Sequence, residues 1–340
     1  MSGIAHRQLA SVSLFLLACS LMCGRARAQA WVSDRGEGSV SLTYQNYDVA
    51  GHFDPKGHKN TNGGTQSHAL VTELDYGVTD AFGLLVSLPF IASKYTGPPS
   101  YVVGGHLVLP GPLDDRSYHA AFQDLRIEVR RLVWGGPVAF APFVGVLLPS
   151  HNYETEGEAV PGRHRRDLQF GTSVGVDLGR ILPGSYVSGR YAYGTAQRLL
   201  DFPFTRSNID VEGGYAVLPR VVIRGLMNQQ IRHHGPSVDE LVVDWEDHDR
   251  FIAPSYVNLG GGASVAVTRS SDVYGLWVST VSGSNGAHRA RTLAFGVTFS
   301  LRSHLQGLGG PDASAPQVRP GSRRLIERFP LGLKAAAPGM

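Results

Sequence analysis

The chain has 340 residues, a formal net charge of +3, 42 glycines and two cysteines. So mild a charge balance carries no nucleic-acid-binding block, and the glycines follow no triplet period, which excludes collagen. Cys19 and Cys23 both fall in the leader described next, so the rest of the chain has no disulfide framework, thiolate metal site or cysteine nucleophile.

Residues 1–28 read as a secretory signal peptide. Arg7 supplies the basic start, Leu9 to Met22 the apolar run, and Ala26-Arg27-Ala28 the small-residue cleavage motif. The run is about 14 residues long, short of the roughly 20 that a spanning helix needs. Leu16-Leu17-Ala18-Cys19 is a weak lipobox, and the Ala-x-Ala site downstream fits better. No later apolar stretch reaches spanning-helix length. An exported chain of this kind is either a soluble secreted protein or a closed barrel.

The elements that follow have a period of two. A first strand runs from about Gly38 to Tyr47, with Val40, Leu42 and Tyr44 opposite Ser39, Ser41 and Thr43. A hairpin over residues 67 to 91 carries Leu70, Leu74, Tyr76, Phe82, Leu84, Val86 and Leu88 on one face, and Glu73 and Asp75 on the other. The fourth strand alternates most clearly: Leu125, Ile127 and Val129 against Asp124, Arg126, Glu128 and Arg130. Strands follow over Val138 to Leu148 and Leu168 to Leu178, then around Tyr191, around Ile209 and from Val221. A further strand covers Val257 to Val267, another covers Val273 to Val281 with ambiguous facing, and the last runs from about Arg291 to Leu301.

The count is roughly twelve strands of about ten residues. The connections after the even strands are tight, while those after the odd strands are mostly long, including a loop near Arg198 to Thr205 and one from Arg232 to Pro254. Long loops confined to one end are what an up-and-down barrel with one periplasmic and one external rim produces. The fold class is therefore all-β: a closed antiparallel transmembrane β-barrel over 29–301, with a flexible periplasmic tail over 302–340 rich in Gly, Pro and Ala at its start. Periodicity alone also fits a soluble sandwich. Strand length, loop alternation and the aromatics Tyr44, Tyr76, Phe82, Phe122, Tyr193 and Tyr215 near strand ends favour lipid.

Three stretches resemble the outer-membrane proteins of the meta-pathway of phenol degradation family. They are Tyr76-Gly77-Val78-Thr79-Asp80 with Leu84 to Phe90, then Pro142 to Ser150, then Asp167-Leu168-Gln169-Phe170-Gly171. The resemblance covers most of Val40 to Leu301 and specifies fold better than substrate. It implies a channel for hydrophobic or aromatic compounds, lodged in outer-membrane lipid and inserted by the barrel assembly machinery. One departure is that the aromatic final strand ends near Phe299 and Leu301, with residues 302–340 still to follow.

In such a barrel the charged face lines the lumen. The constriction candidates are Glu73, Asp75, Asp124, Arg126, Glu128, Arg130, Asp177, Arg190, Asp210, Glu212 and Arg224, with Gln169 and Asn258 beside them. They can select solutes, or they can be mutually neutralised pairs bracing a narrow barrel. Gly171, Ser173, Gly175, Gly260, Gly262, Ser264, Ala294 and Gly296 leave internal room, either for a solute or for a plug made from the N-terminal segment or a loop.

The acidic loop Asp244-Trp245-Glu246-Asp247-His248-Asp249 lacks the spacing of a calcium loop, and it and His233-His234 read as solvated polar groups. No catalytic residue, metal site or cofactor is expected. His68 and His119 lie near a rim, with no serine placed to make a lipid hydrolase. The expected function is passive uptake of small hydrophobic or aromatic compounds across the outer membrane, with no nucleic-acid partner. The alternative is a structural or adhesive barrel working through its long loops.

Overall fold

The computed structural model describes residues 30–301 apart from 61–63, 99–100, 104–105, 241–246 and 269. The expected signal peptide with its cleavage motif, the expected tail over 302–340 and part of the acidic loop lie outside the described residues.

Twelve antiparallel strands make the wall. They are β1 (Gly38–Phe53), β2 (Thr65–Gly77), β3 (Phe82–Tyr95), β4 (His119–Phe122 and Leu125–Arg131), β5 (Val138–Leu148), β6 (Asp167–Asp177), β7 (Ser185–Leu199), β8 (Phe202–Leu218), β9 (Val221–His234), β10 (Ser255–Ala266), β11 (Ser271–Ser284) and β12 (His288–Leu301). Each pairs with its neighbours in sequence, and β12 returns to β1 with Leu301 opposite Gly38 and Phe295 opposite Tyr44. Closure leaves no strand edge, the condition under which a sheet can cross a bilayer.

Facing is inside-out relative to a water-soluble fold. Arg130 is 0% exposed and Arg190 2%, whereas Val144 is 55% and Phe295 52% exposed. A charged interior inside an apolar exterior is stable only where the outside solvent is hydrocarbon. Of the aromatics assigned to girdles, Tyr76, Phe82 and Tyr215 stand outward beside the short turns. Tyr44, Phe122 and Tyr193 stand outward toward the opposite end.

Strand limits differ from the sequence reading in four places. β1 continues to Phe53 and β3 to Tyr95, well above the apolar band. The loop expected near Arg198 to Thr205 is a two-residue turn, Leu200-Asp201, with both residues at positive φ. Pro203 is tolerated there because the ladder shifts register between Ala196 and Leu199. The fourth strand is interrupted at Gln123-Asp124: Gln123 turns inward and its side-chain amide donates to the Pro161 carbonyl at 2.8 Å. The short turns at the other end are as expected, at 78–81, 132–137, 178–184, 219–220 and 267–270.

Candidate functional site

The lumen is built by alternation. With Ile127 and Val129 turned to lipid, β4 must point Arg126, Glu128 and Arg130 inward. Arg130 Nη2 donates to Asp75 Oδ1 at 2.6 Å, across β3. Glu128 Oε2 accepts from Arg126 at 2.6 Å and from Arg190 of β7 at 2.9 Å, reaching past the small residues of β5 and β6. Arg190 also lies 3.6 Å from Asp210, and its guanidinium carbon sits 4.0 Å from the ring centre of Phe143. Asn228 donates to Asp210 at 2.5 Å and Asn258 to Asn228 at 3.3 Å. Arg224 meets Glu212 at 3.4 Å and the Ser264 hydroxyl at 3.0 Å, and the Tyr186 hydroxyl donates to Glu212. Charged and amide groups thus run round the interior from β2 to β10.

Of the constriction candidates, Glu73, Asp75, Arg126, Glu128, Arg130, Arg190, Asp210, Glu212 and Arg224 are all buried on this inner face, as is Gln169. Asp124 and Asp177 stand apart. Asp124 lies in the break of the fourth strand, where it accepts the Tyr153 hydroxyl at 2.5 Å. Asp177 is spent on a turn, accepting the Gly179 N–H at 2.8 Å. Asp75, Arg126, Glu128, Arg130, Arg190, Asp210, Glu212 and Arg224 each face an opposite charge, which offsets a desolvation cost of several kcal/mol per ion. The arrangement is a brace as much as a selector.

The opposite wall has another character. Leu226, Tyr274, Leu276, Val278 and Ala294 form a buried apolar cluster on β9, β11 and β12. It fits because facing positions are glycine: a Cβ at Gly262 would lie 2.6 Å from Leu276 Cδ2, and one at Gly260 2.6 Å from Val278 Cγ2. Sequence reasoning missed this stripe. Its signals were the small residues Gly260, Gly262, Ala294 and Gly296 and the ambiguous facing of Val273 to Val281, where Trp277 and Val281 turn outward and Tyr274, Leu276 and Val278 inward.

Both ends are covered. At the short-turn end Ala30, Trp31, Val32 and Ser33 are buried inside the barrel. The Trp31 indole donates to the Gly136 carbonyl at 2.9 Å, and its ring packs with Ala139, Tyr186 and Val222 over Gly175. At the other end the described parts of the loops over 96–118, 149–166 and 235–254 fold back over the mouth. Asp114 accepts backbone N–H groups from Gly111 (3.0 Å), Glu158 (2.7 Å) and Ala159 (3.2 Å), tying two loops together. Burial nonetheless holds its carboxyl above the usual range. Asn285 accepts from Val238 N at 2.9 Å and donates to the carbonyls of Pro236 (3.1 Å) and Ala253 (3.0 Å).

No family model matches the chain, and no curated relative matches it by sequence. Solved structures do match in shape. An outer membrane channel from Pseudomonas putida F1 has a TM-score of 0.60 at 13% identity, covering 80% of this chain and 98% of that one. A monoaromatic hydrocarbon channel, CymD, has 0.42 at 10%, covering 80% and 90%. The translocator domain of the autotransporter NalP from Neisseria meningitidis has 0.44 at 11%, covering 88% and 97%. The chain is a transmembrane β-barrel of the outer-membrane type. At these identities the likeness establishes fold alone, and the named phenol-pathway family remains a resemblance.

The remaining candidates are accounted for at the rims. His68 Nδ1 meets the Tyr44 hydroxyl at 2.8 Å. His233 Nε2 meets the Ser207 hydroxyl at 2.7 Å, and His234 Nδ1 meets that of Thr205 at 2.7 Å. Asp247 pairs with Arg250 at 2.7 Å, but His248 and Asp249 of the acidic loop are buried rather than solvated, packed under the outer loops with His248 3.6 Å from Glu158. His119 shares a turn with Ser117 and Asp115, a grouping with the residue types of a triad. Its Nε2 alone faces both Ser117 (3.2 Å) and Asp115 (2.8 Å), and the Ser117 hydroxyl donates to Asp115 at 2.6 Å. A proton relay needs the two ring nitrogens on different partners, so this geometry builds a turn rather than a nucleophile.

Proposed function

We propose that the chain is an outer-membrane channel-like barrel for passive uptake of small hydrophobic or aromatic compounds, inserted by the barrel assembly machinery. The observation that carries the reading is the apolar wall of Leu226, Tyr274, Leu276 and Val278 facing a charge network that is already internally paired. A neutralised network offers a weak hold on a hydrated ion, while the apolar stripe offers contact to a dehydrated ring. The glycines beside the stripe keep that wall low. Passage requires the Trp31 segment and the outer loops to yield, and neither belongs to the continuous strand ladders that close the wall.

The test is to refold the mature protein into planar bilayers and vesicles and to compare conductance with uptake of toluene or phenol. Uptake above that of empty vesicles, rising when Trp31→Ala loosens the inner end, supports the reading. No uptake by either form would sink it. That outcome would favour a structural or adhesive barrel, for which the closely packed outer loops are the supporting feature.

A further inference from the structure

Beneath the outer loops, beside β6, β7 and β8, three guanidinium groups crowd together. Arg163 and Arg165 come from the loop before β6, and Arg206 from β8. Arg206 is paired with Asp167. Arg165 forms no ion pair among the described residues. It is 4% exposed, and its guanidinium carbon lies 4.1 Å from the ring centre of Phe204. Its Nε and Nη1 are buried and meet no hydrogen-bond acceptor among the described residues, and the Nε atoms of Arg163 and Arg206 are in the same position.

The other carboxylates within electrostatic reach, Asp124 beside Arg165 and Asp249 beside Arg163, make no described hydrogen bond to Arg165. Asp124 accepts the Tyr153 hydroxyl, and Asp249 lies 3.4 Å from His248. Burial, then the neighbouring Arg163 and Arg206, push the Arg165 guanidinium well down from its ordinary value. A guanidinium does not shed its proton in a protein, so such a group calls for an anion. Its planar fork matches a carboxylate through two parallel hydrogen bonds.

One side of the fork is apolar. Phe204, which carries Arg165 on its face, belongs to a buried cluster with Ala196, Val238, Phe251 and Ile252. A charge-seeking group set against an aromatic and aliphatic surface recognises a molecule with both parts.

We propose that Arg165, supported by Arg163 and Arg206, binds the carboxylate of an aromatic acid whose ring lies against the Phe204 cluster at the outer mouth of the barrel. The inference rests on the channel reading and narrows it from apolar solutes in general to aromatic carboxylates. Permeation and binding are separable, so the two ideas fail separately.

The test uses the full mature chain refolded in a non-ionic detergent, titrated calorimetrically with benzoate, benzyl alcohol and inorganic phosphate. Benzoate is expected to bind, with Arg165→Gln weakening it at least about tenfold and Arg165→Lys keeping part of the affinity, because charge survives while the fork is lost. Benzyl alcohol, having no charge, is expected to bind weakly and to ignore both substitutions. If Arg165→Gln does not refold, Arg163→Gln, on a half-buried loop residue, serves in its place with an expected loss of several-fold. Benzoate affinity unchanged in these variants overturns the proposal. Inorganic phosphate binding as tightly as benzoate also overturns it, since the site would then be a plain anion site. Arg165-dependent binding with no vesicle uptake would leave the site standing and remove the channel. Uptake of phenol with Arg165-independent benzoate binding would do the reverse.

Discussion

Val86→Arg tests the facing of the whole barrel at its most sensitive point. Val86 is an outward residue of β3, with Leu74 of β2 and Ile127 of β4 opposite it on either side. Phe82 and Phe90, both exposed, stand four positions before and after it on the same face. Eight residues at about 3.4 Å each span roughly 27 Å of strand, or roughly 20 Å along the bilayer normal at a tilt of about 40°. Val86 therefore sits about 10 Å from either aromatic level, near mid-hydrocarbon. An arginine there should cost about 2–4 kcal/mol. Val129→Arg is the internal control. Val129 is also outward and 49% exposed, but it is two residues from Arg131, whose guanidinium already lies 5.8 Å from the Phe82 ring centre. At that interfacial depth the same substitution should cost about 0–1 kcal/mol. Urea-titrated refolding into vesicles, read by heat-modifiable gel mobility, measures both. Equal costs at the two depths, or no cost at Val86, would refute the assignment of this face to lipid.

Glu128→Leu removes the carboxylate shared by Arg126 and Arg190 and should destabilise the barrel by about 3–5 kcal/mol in the same titration, since buried Arg126 loses this partner and Arg190 is left with Asp210 among the described ion pairs. Trp31→Ala should raise single-channel conductance while leaving the strand ladders intact, seen as larger or more frequent current steps with unchanged circular dichroism. Asp115 is held down to about 2 by hydrogen bonds from Ser117 and His119. Because its folded value lies below its ordinary 3.8, the turn's contribution is present above that value and is lost as pH falls toward about 2. Amide signals of residues 115–119 should broaden or shift across that window and not between pH 5 and 7.

The wall was legible in the sequence because its chemistry repeats every two residues. The alternation of Arg126, Glu128 and Arg130 with Ile127 and Val129 leaves a single facing once the outside is lipid. The apolar stripe was not legible, because Tyr274, Leu276 and Val278 sit on a strand whose other face is also apolar. Only the glycines of β10 and β12 reveal which side has room. The Leu200-Asp201 turn was read as a loop because Pro203 ordinarily ends a strand, and a register shift absorbs it. Asp124 was assigned to the lumen by extending an alternation that breaks one residue earlier. Trp31 and Arg165 belong to segments with no period at all. Their burial comes from docking against distant strands, which local sequence does not encode.

The seam between β1 and β12 joins the first and last strands of the wall, with Gly38 opposite Leu301. β1 emerges early during export and must wait for nearly the whole chain before its partner exists. Until then it exposes a row of unpaired backbone groups on its flank, the most aggregation-prone state a sheet can hold. No shorter version of the chain escapes this, because removing β12 yields an open ribbon with two raw flanks rather than a smaller ring. The time between the arrival of the first strand and the last is therefore a period of dependence on an outside surface that can shield β1, and slowing export should harm this protein more than one whose neighbours in space are neighbours in sequence.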